Sequence, residues 1–158
     1  MGFDLKPEIK QALTKMNFIN KFEELSKKYS PEKVSMEDRL LDLDIAAVMK
    51  IIENLGYSVS FNKSEKFVRV EEVIQKDLVF GVNIMFPNGR ADFIWEVRHN
   101  EEVRLGSPWT VYSRLLIDSN YRIQMPAFRD YNELEALLKE SFEMYEEFKA
   151  ILIKEYLG

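Results

Sequence analysis

The spacing of apolar residues changes period twice along this chain. From Pro7 to Tyr29, Ile9, Leu13, Met16, Ile19, Phe22, Leu25 and Tyr29 recur at three- and four-residue steps. That is one face of a helix, with Pro7 in the first turn where a missing N–H does no harm. Ser30-Pro31 ends it. Ser35 is expected to cap a second helix, with Glu37 and Asp38 in its first turn. Its apolar arc runs from Leu40 through Leu41, Leu43, Ile45, Val48, Ile51 and Ile52 to Leu55, and Gly56 closes it as a C′ glycine. From Tyr57 the period falls to two. Tyr57–Phe61 and Phe67–Ile74 read as strands around an Asn62–Glu65 turn. In the second, Val68 and Val70 share one face, while Phe67, Arg69, Glu71 and Val73 share the other.

Leu78 to Arg98 carries the strongest signal. Asn88-Gly89 between alternating apolar runs marks a hairpin. Pairing Ile84 with Phe93, Val82 with Trp95 and Phe80 with Val97 makes one face apolar on both strands. The other face then pairs Met85 with Asp92, Asn83 with Ile94, Gly81 with Glu96 and Val79 with Arg98. A slip of one residue would bury charge, so the pattern selects its own register. His99-Asn100-Glu101 turns into a short strand from Glu102 to Leu105.

Beyond Gly106 the helical period returns. Ser107 and Pro108 are expected to start a short helix bearing Trp109, Tyr112, Leu115 and Leu116, ended by Asp118-Ser119-Asn120. Tyr121–Met125 reads as a brief strand. Asp130 and Glu133 form a capping-box start for a last helix from Tyr131 to about Tyr156. The expected fold is α+β: an antiparallel meander of about five strands packed against two N-terminal helices and one long C-terminal helix, in a single domain spanning residues 1–158.

Composition narrows the function classes. The 158 residues are 46% hydrophobic and 31% charged, a globular composition, and the net charge of -5 argues against a nucleic-acid binder. There is no Cys, which excludes disulfides and thiolate chemistry and fits a reducing, cytoplasmic setting. No run approaches the ~20 apolar residues of a membrane helix, and the N-terminus shows no signal-peptide core. His99 is the only His and reads as a solvated turn residue; a paired-His relay or a His-rich metal site cannot be built. No phosphate-cradling glycine loop and no G-x-S-x-G elbow occur. No cofactor is expected.

Asp77, Asp92 and Glu96-Val97-Arg98 resemble the core of the PD-(D/E)xK nucleases, which would imply a metal-dependent hydrolase. Arg98 stands where that family prefers Lys, and Asp92 and Glu96 would lie about 13 Å apart at roughly 3.3 Å per residue, too far to share one ion. A charged solvent face is the competing reading of the same residues.

From Asp130 onward, eight carboxylates (Asp130, Glu133, Glu135, Glu140, Glu143, Glu146, Glu147, Glu155) face only Lys139, Lys149 and Lys154. Either this is a solvated face or it steers a basic partner. The leading expectation is a non-catalytic protein-binding module, an immunity-type inhibitor that sequesters a basic toxin or enzyme. Its expected contact residues are Trp109, Tyr112, Glu140, Glu143, Glu146 and Glu147, with the aromatics as anchors. The order helix, strands, short helix, strand and long helix also resembles class I type III secretion chaperones, which implies a homodimer holding an extended client segment; the expected state is monomer or homodimer, an obligate dimer favouring the chaperone and a monomer the inhibitor.

Overall fold

The computed structural model describes residues 4–158. The chain begins with α1 (Pro7–Lys15) and α2 (Phe18–Lys28), then runs through an irregular stretch to α3 (Ile45–Asn54). Strands β1 (Val59–Asn62), β2 (Phe67–Gln75), β3 (Leu78–Met85), β4 (Asp92–His99) and β5 (Glu102–Leu105) follow, then α4 (Trp109–Leu116) and α5 (Tyr131–Leu157). The strands pair in sequence order as an antiparallel meander.

The β3–β4 register is the one the alternating pattern requires: Val82 opposes Trp95, Ile84 opposes Phe93, Gly81 opposes Glu96 and Met85 opposes Asp92. The connecting residues Pro87–Gly89 make a short 3-10 turn in which Asn88 takes the left-handed region at φ 55. Asn tolerates that conformation better than other side chains. Asn100 and Glu101 also have positive φ and link β4 to β5.

The apolar face of the sheet is fully covered. Val68, Val70, Phe80, Val82, Ile84, Phe93, Trp95 and Val97 are buried with Leu134, Leu138, Tyr145, Phe148 and Leu152 of α5. Trp95 stacks on Phe148 with ring centroids 4.5 Å apart, and Trp109 lies against Phe93 at 4.4 Å. Phe18 and Phe22 of α2 close the aromatic cluster from the other side.

Four expectations are corrected. The helix expected from Pro7 to Tyr29 is broken at Asn17, whose backbone is left-handed at φ 58; the break re-aims α2 so that Phe18 enters the core. Ser35 caps no α-helix. Its hydroxyl donates to Asp38, and Met36–Asp38 form only a 3-10 turn. Arg39 then fastens the following stretch by donating to the carbonyls of Val34, Pro31 and Asn88 at 3.0, 3.0 and 3.2 Å. The helix proper starts after Asp44, whose carboxylate accepts from the Ala46 N–H at 3.1 Å.

Third, α4 begins at Trp109 with no side-chain cap from Ser107, because Pro108 is held in extended form by a bridge to Ile94. Fourth, Tyr121–Met125 forms no strand. The ladder contact comes later, where Ala91 donates to Pro126 and Phe128 donates to Gly89. The Asp130 cap stands, with the Glu133 N–H donating to it at 2.8 Å; the reciprocal bond to Glu133 comes from the Arg129 N–H.

Candidate functional site

The residues expected to form a partner surface do not assemble into one. Trp109 and Tyr112 are 1% and 0% exposed, so neither is available as an anchor. They belong to the core, where burial pushes the Tyr112 hydroxyl far up. The Trp109 Nε1–H has no hydrogen-bond acceptor among the described residues and sits among the rings of Phe18, Phe22 and Phe93. Aromatic faces are weak acceptors for such an N–H.

Three of the four named acids on α5 are matched within the chain. Glu147 pairs with Lys21 at 2.5 Å. Glu140 accepts from Lys28 and from the Tyr29 hydroxyl, both at 3.1 Å. Glu146 accepts from Tyr57 at 2.6 Å and from Lys149 at 3.0 Å. Burial, reinforced by Glu140, raises Tyr29 to about 12. Only Glu143 has no such partner among the described residues. Lys21 and Lys28 of α2 therefore each neutralise one acid of the stripe.

The remaining surface of distinctive chemistry is the second face of the sheet, which no helix covers. Cross-strand pairing arranges it in rows. The first holds Phe67, Met85 and Asp92; the second Arg69, Asn83 and Ile94; the third Glu71, Gly81 and Glu96; the fourth Val73, Val79, Arg98 and Val103. Phe67, Met85, Val79 and Ile94 are half-buried, while Val73 and Val103 are 62% and 58% exposed. A shallow cavity of about 670 Å³ opens here, lined by Phe67, Arg69, Asn83, Met85, Ile94, Glu96 and Arg98.

Its centre is a polar network that is satisfied internally. Arg69 donates to Glu96 at 2.6 Å, to Asn83 at 2.9 Å and to Glu71 at 2.7 Å. Asn83 donates to the same Glu96 oxygen at 2.8 Å. Gly81 makes room for this: a Cβ there would meet Arg69 Nη2 at 3.0 Å, so the guanidinium lies across the glycine. Burial works against the Arg69 charge, and its hydrogen bonds to Glu96 and Glu71 overcome it, leaving the pKa raised. Arg98 is looser, 3.7 Å from Glu71. Burial raises the Asp92 carboxyl, with Arg90 only partly offsetting it.

Glu96 is thus committed to a guanidinium and an amide, and Asp92 stands two rows away. Among the described residues, no three His, Asp or Glu side chains converge where one metal ion could be held. His99 is not a solvated turn residue. It ends β4 and stacks on Tyr156 with centroids 4.2 Å apart.

Arg69 and Asn83 went unrecognised in the sequence. The hairpin pattern sets Gly81 opposite Glu96, but the gap left by the glycine is filled from β2, whose register against β3 is shifted by an irregularity between Val73 and Gln75. The apolar Phe67 and Val73 on the polar face of β2 were the legible trace. No protein-family model, curated protein or solved structure matches this chain. No described helix is long and apolar enough to cross a membrane.

Proposed function

We propose that this chain is a non-catalytic protein-binding module that sequesters a protein partner, as an immunity-type inhibitor does, and that it does so on the open face of its sheet. The observation that carries this reading is the composition of that face. Half-buried and exposed apolar side chains flank a rigid Arg69–Asn83–Glu96 network whose hydrogen bonds are already made. Interfaces favour apolar and Arg side chains held in place before contact, because less ordering entropy is then lost on binding. The α5 acids add a long-range field; they do not form the contact.

The test uses the protein encoded beside this one, produced separately. Its binding should weaken about tenfold or more for Ile94→Asp and for Phe67→Asp, since each sets an unpaired charge into an apolar contact. Gln at Glu143, Glu146 and Glu147 should mainly slow association, and less so at high salt. Binding that survives both face substitutions and is lost with the Gln substitutions would place the contact on α5.

A further inference from the structure

We infer that, when no other partner is bound, a second copy of this chain covers the open face, making a two-fold dimer of face-to-face sheets. The inference rests on that face being a docking surface. Size is the first argument. Strands of four, nine, eight, eight and four residues, about 4.8 Å apart at about 3.4 Å per residue, give roughly 540 Å² per copy and about 1,100 Å² in all, just above the ~1,000 Å² that a specific interface needs.

Self-complementarity is the second. With the strands of the two copies kept roughly aligned, two sheets packed face to face by a two-fold axis have that axis along the strands or across them. Along the strands, β2 of one copy covers β4 of the other, and Glu71 meets Glu96. Like charges oppose that arrangement. Across the strands, each strand covers its own counterpart with the rows reversed. Val79 then covers Met85 of the partner subunit, and Val73 covers Phe67 of the partner subunit. Arg69 faces Glu71 of the partner subunit. Ile94 rests on the stem of Glu96 of the partner subunit, whose carboxylate is turned away toward its own Arg69 and Asn83.

The decisive pair is Arg98 with Asp92 of the partner subunit. Within one chain Arg98 has only its 3.7 Å approach to Glu71, with 45% of its side chain exposed, and Asp92 makes no hydrogen bond or ion pair among the described residues. The two lie at opposite ends of β4 on the open face, so reversing the rows brings each over the other, twice per dimer. The network at the centre needs no new partner when it is covered, because its hydrogen bonds are already made. A protein that binds the same face must displace the second copy.

Sedimentation equilibrium from about 5 to about 200 µM tests this. The wild-type chain of 18.7 kDa should sediment at twice that mass at the upper concentrations. Arg98→Asp and Asp92→Arg should each weaken self-association about tenfold or more, since each sets like charges against one another. Mixed in equal amounts, the two variants should associate again, because each altered charge then faces its complement. Val73→Glu, at a position 62% exposed and so indifferent to the fold, should also weaken the dimer. Circular dichroism confirms that each variant is folded. A wild-type chain that stays monomeric, a dimer unmoved by Val73→Glu and Arg98→Asp, or a mixture that fails to associate would each overturn the inference. A monomer would leave the proposed function standing, because binding of the neighbouring gene product to the face is measured separately.

Discussion

Gly81 and Gly89 show how one residue type serves two ends. At Gly81 an added Cβ meets only the guanidinium of Arg69, at 3.0 Å, which a shift of a few tenths of an ångström relieves. Gly81→Ala should therefore cost less than about 1 kcal/mol of stability while shifting the guanidinium that organises the open face. At Gly89 φ is +70 and the added Cβ would lie 2.7 Å from Arg39 Cβ. Gly89→Ala should cost about 1–3 kcal/mol, and urea denaturation of the two variants checks the contrast. Trp95, 1% exposed and stacked on Phe148, should cost about 3–5 kcal/mol as Trp95→Ala.

Glu8 supplies the clearest pH dependence. Arg104 binds it through Nε at 2.6 Å and Nη2 at 2.8 Å, and Tyr156 donates to it at 2.6 Å. The Arg104 hydrogen bonds, against the opposing effect of burial, lower Glu8 from 4.5 to about 2. A depressed carboxylate stabilises the fold above its unfolded pKa. The contribution, on the order of 2–3 kcal/mol after solvent screening, is therefore complete above about pH 4.5 and lost as pH falls toward 2. The stability gap between wild type and Glu8→Gln should close across that window. A constant gap from pH 6 to pH 2.5 would contradict the assignment.

Among the elements, β3 and β4 were legible because their charges admit one register. The core-facing positions Leu78, Phe80, Val82 and Ile84 and Phe93, Trp95 and Val97 are all buried, so a slip is costly. The break between α1 and α2 was not legible. A left-handed Asn17 leaves the three- and four-residue spacing running on through it, so the stripe looks continuous while the axis turns. The start of α3 was misplaced for a different reason. Ser35 with Glu37 and Asp38 has the composition of a helix start, but Arg39 bonds back to the carbonyls of Pro31 and Val34 and across to that of Asn88, and this holds the next residues extended. Asp44→Ala should accordingly destabilise by about 1 kcal/mol and Ser35→Ala by less than about 0.5 kcal/mol, read from thermal midpoints. Tyr121–Met125 alternates like a strand yet has no neighbour to pair with; composition alone does not show which backbone is adjacent.

For the molecule as a whole, the sequence overstated the acidic helix and understated the sheet. Counting charges from Asp130 onward finds eight acids, but the lysines that pair with two of them sit about 110 to 130 residues away on α2, as the Lys28–Glu140 and Lys21–Glu147 pairs show. Likewise, buried Trp109 and Tyr112 follow a Gly-Ser-Pro break that resembles an exposed loop. The helices all pack on one side of the sheet and leave the other uncovered. The most direct measure of that division is methionine oxidation by dilute peroxide, read by mass spectrometry. Met85 lies half-buried on the open face, and Met49 lies half-buried on α3 among the helices. With the chain kept dilute enough to sediment as a monomer, binding of the neighbouring gene product should slow oxidation of Met85 about fivefold or more while Met49 keeps its rate. A bound complex in which Met85 oxidises as fast as in the free chain would contradict the assignment of the open face as the docking surface.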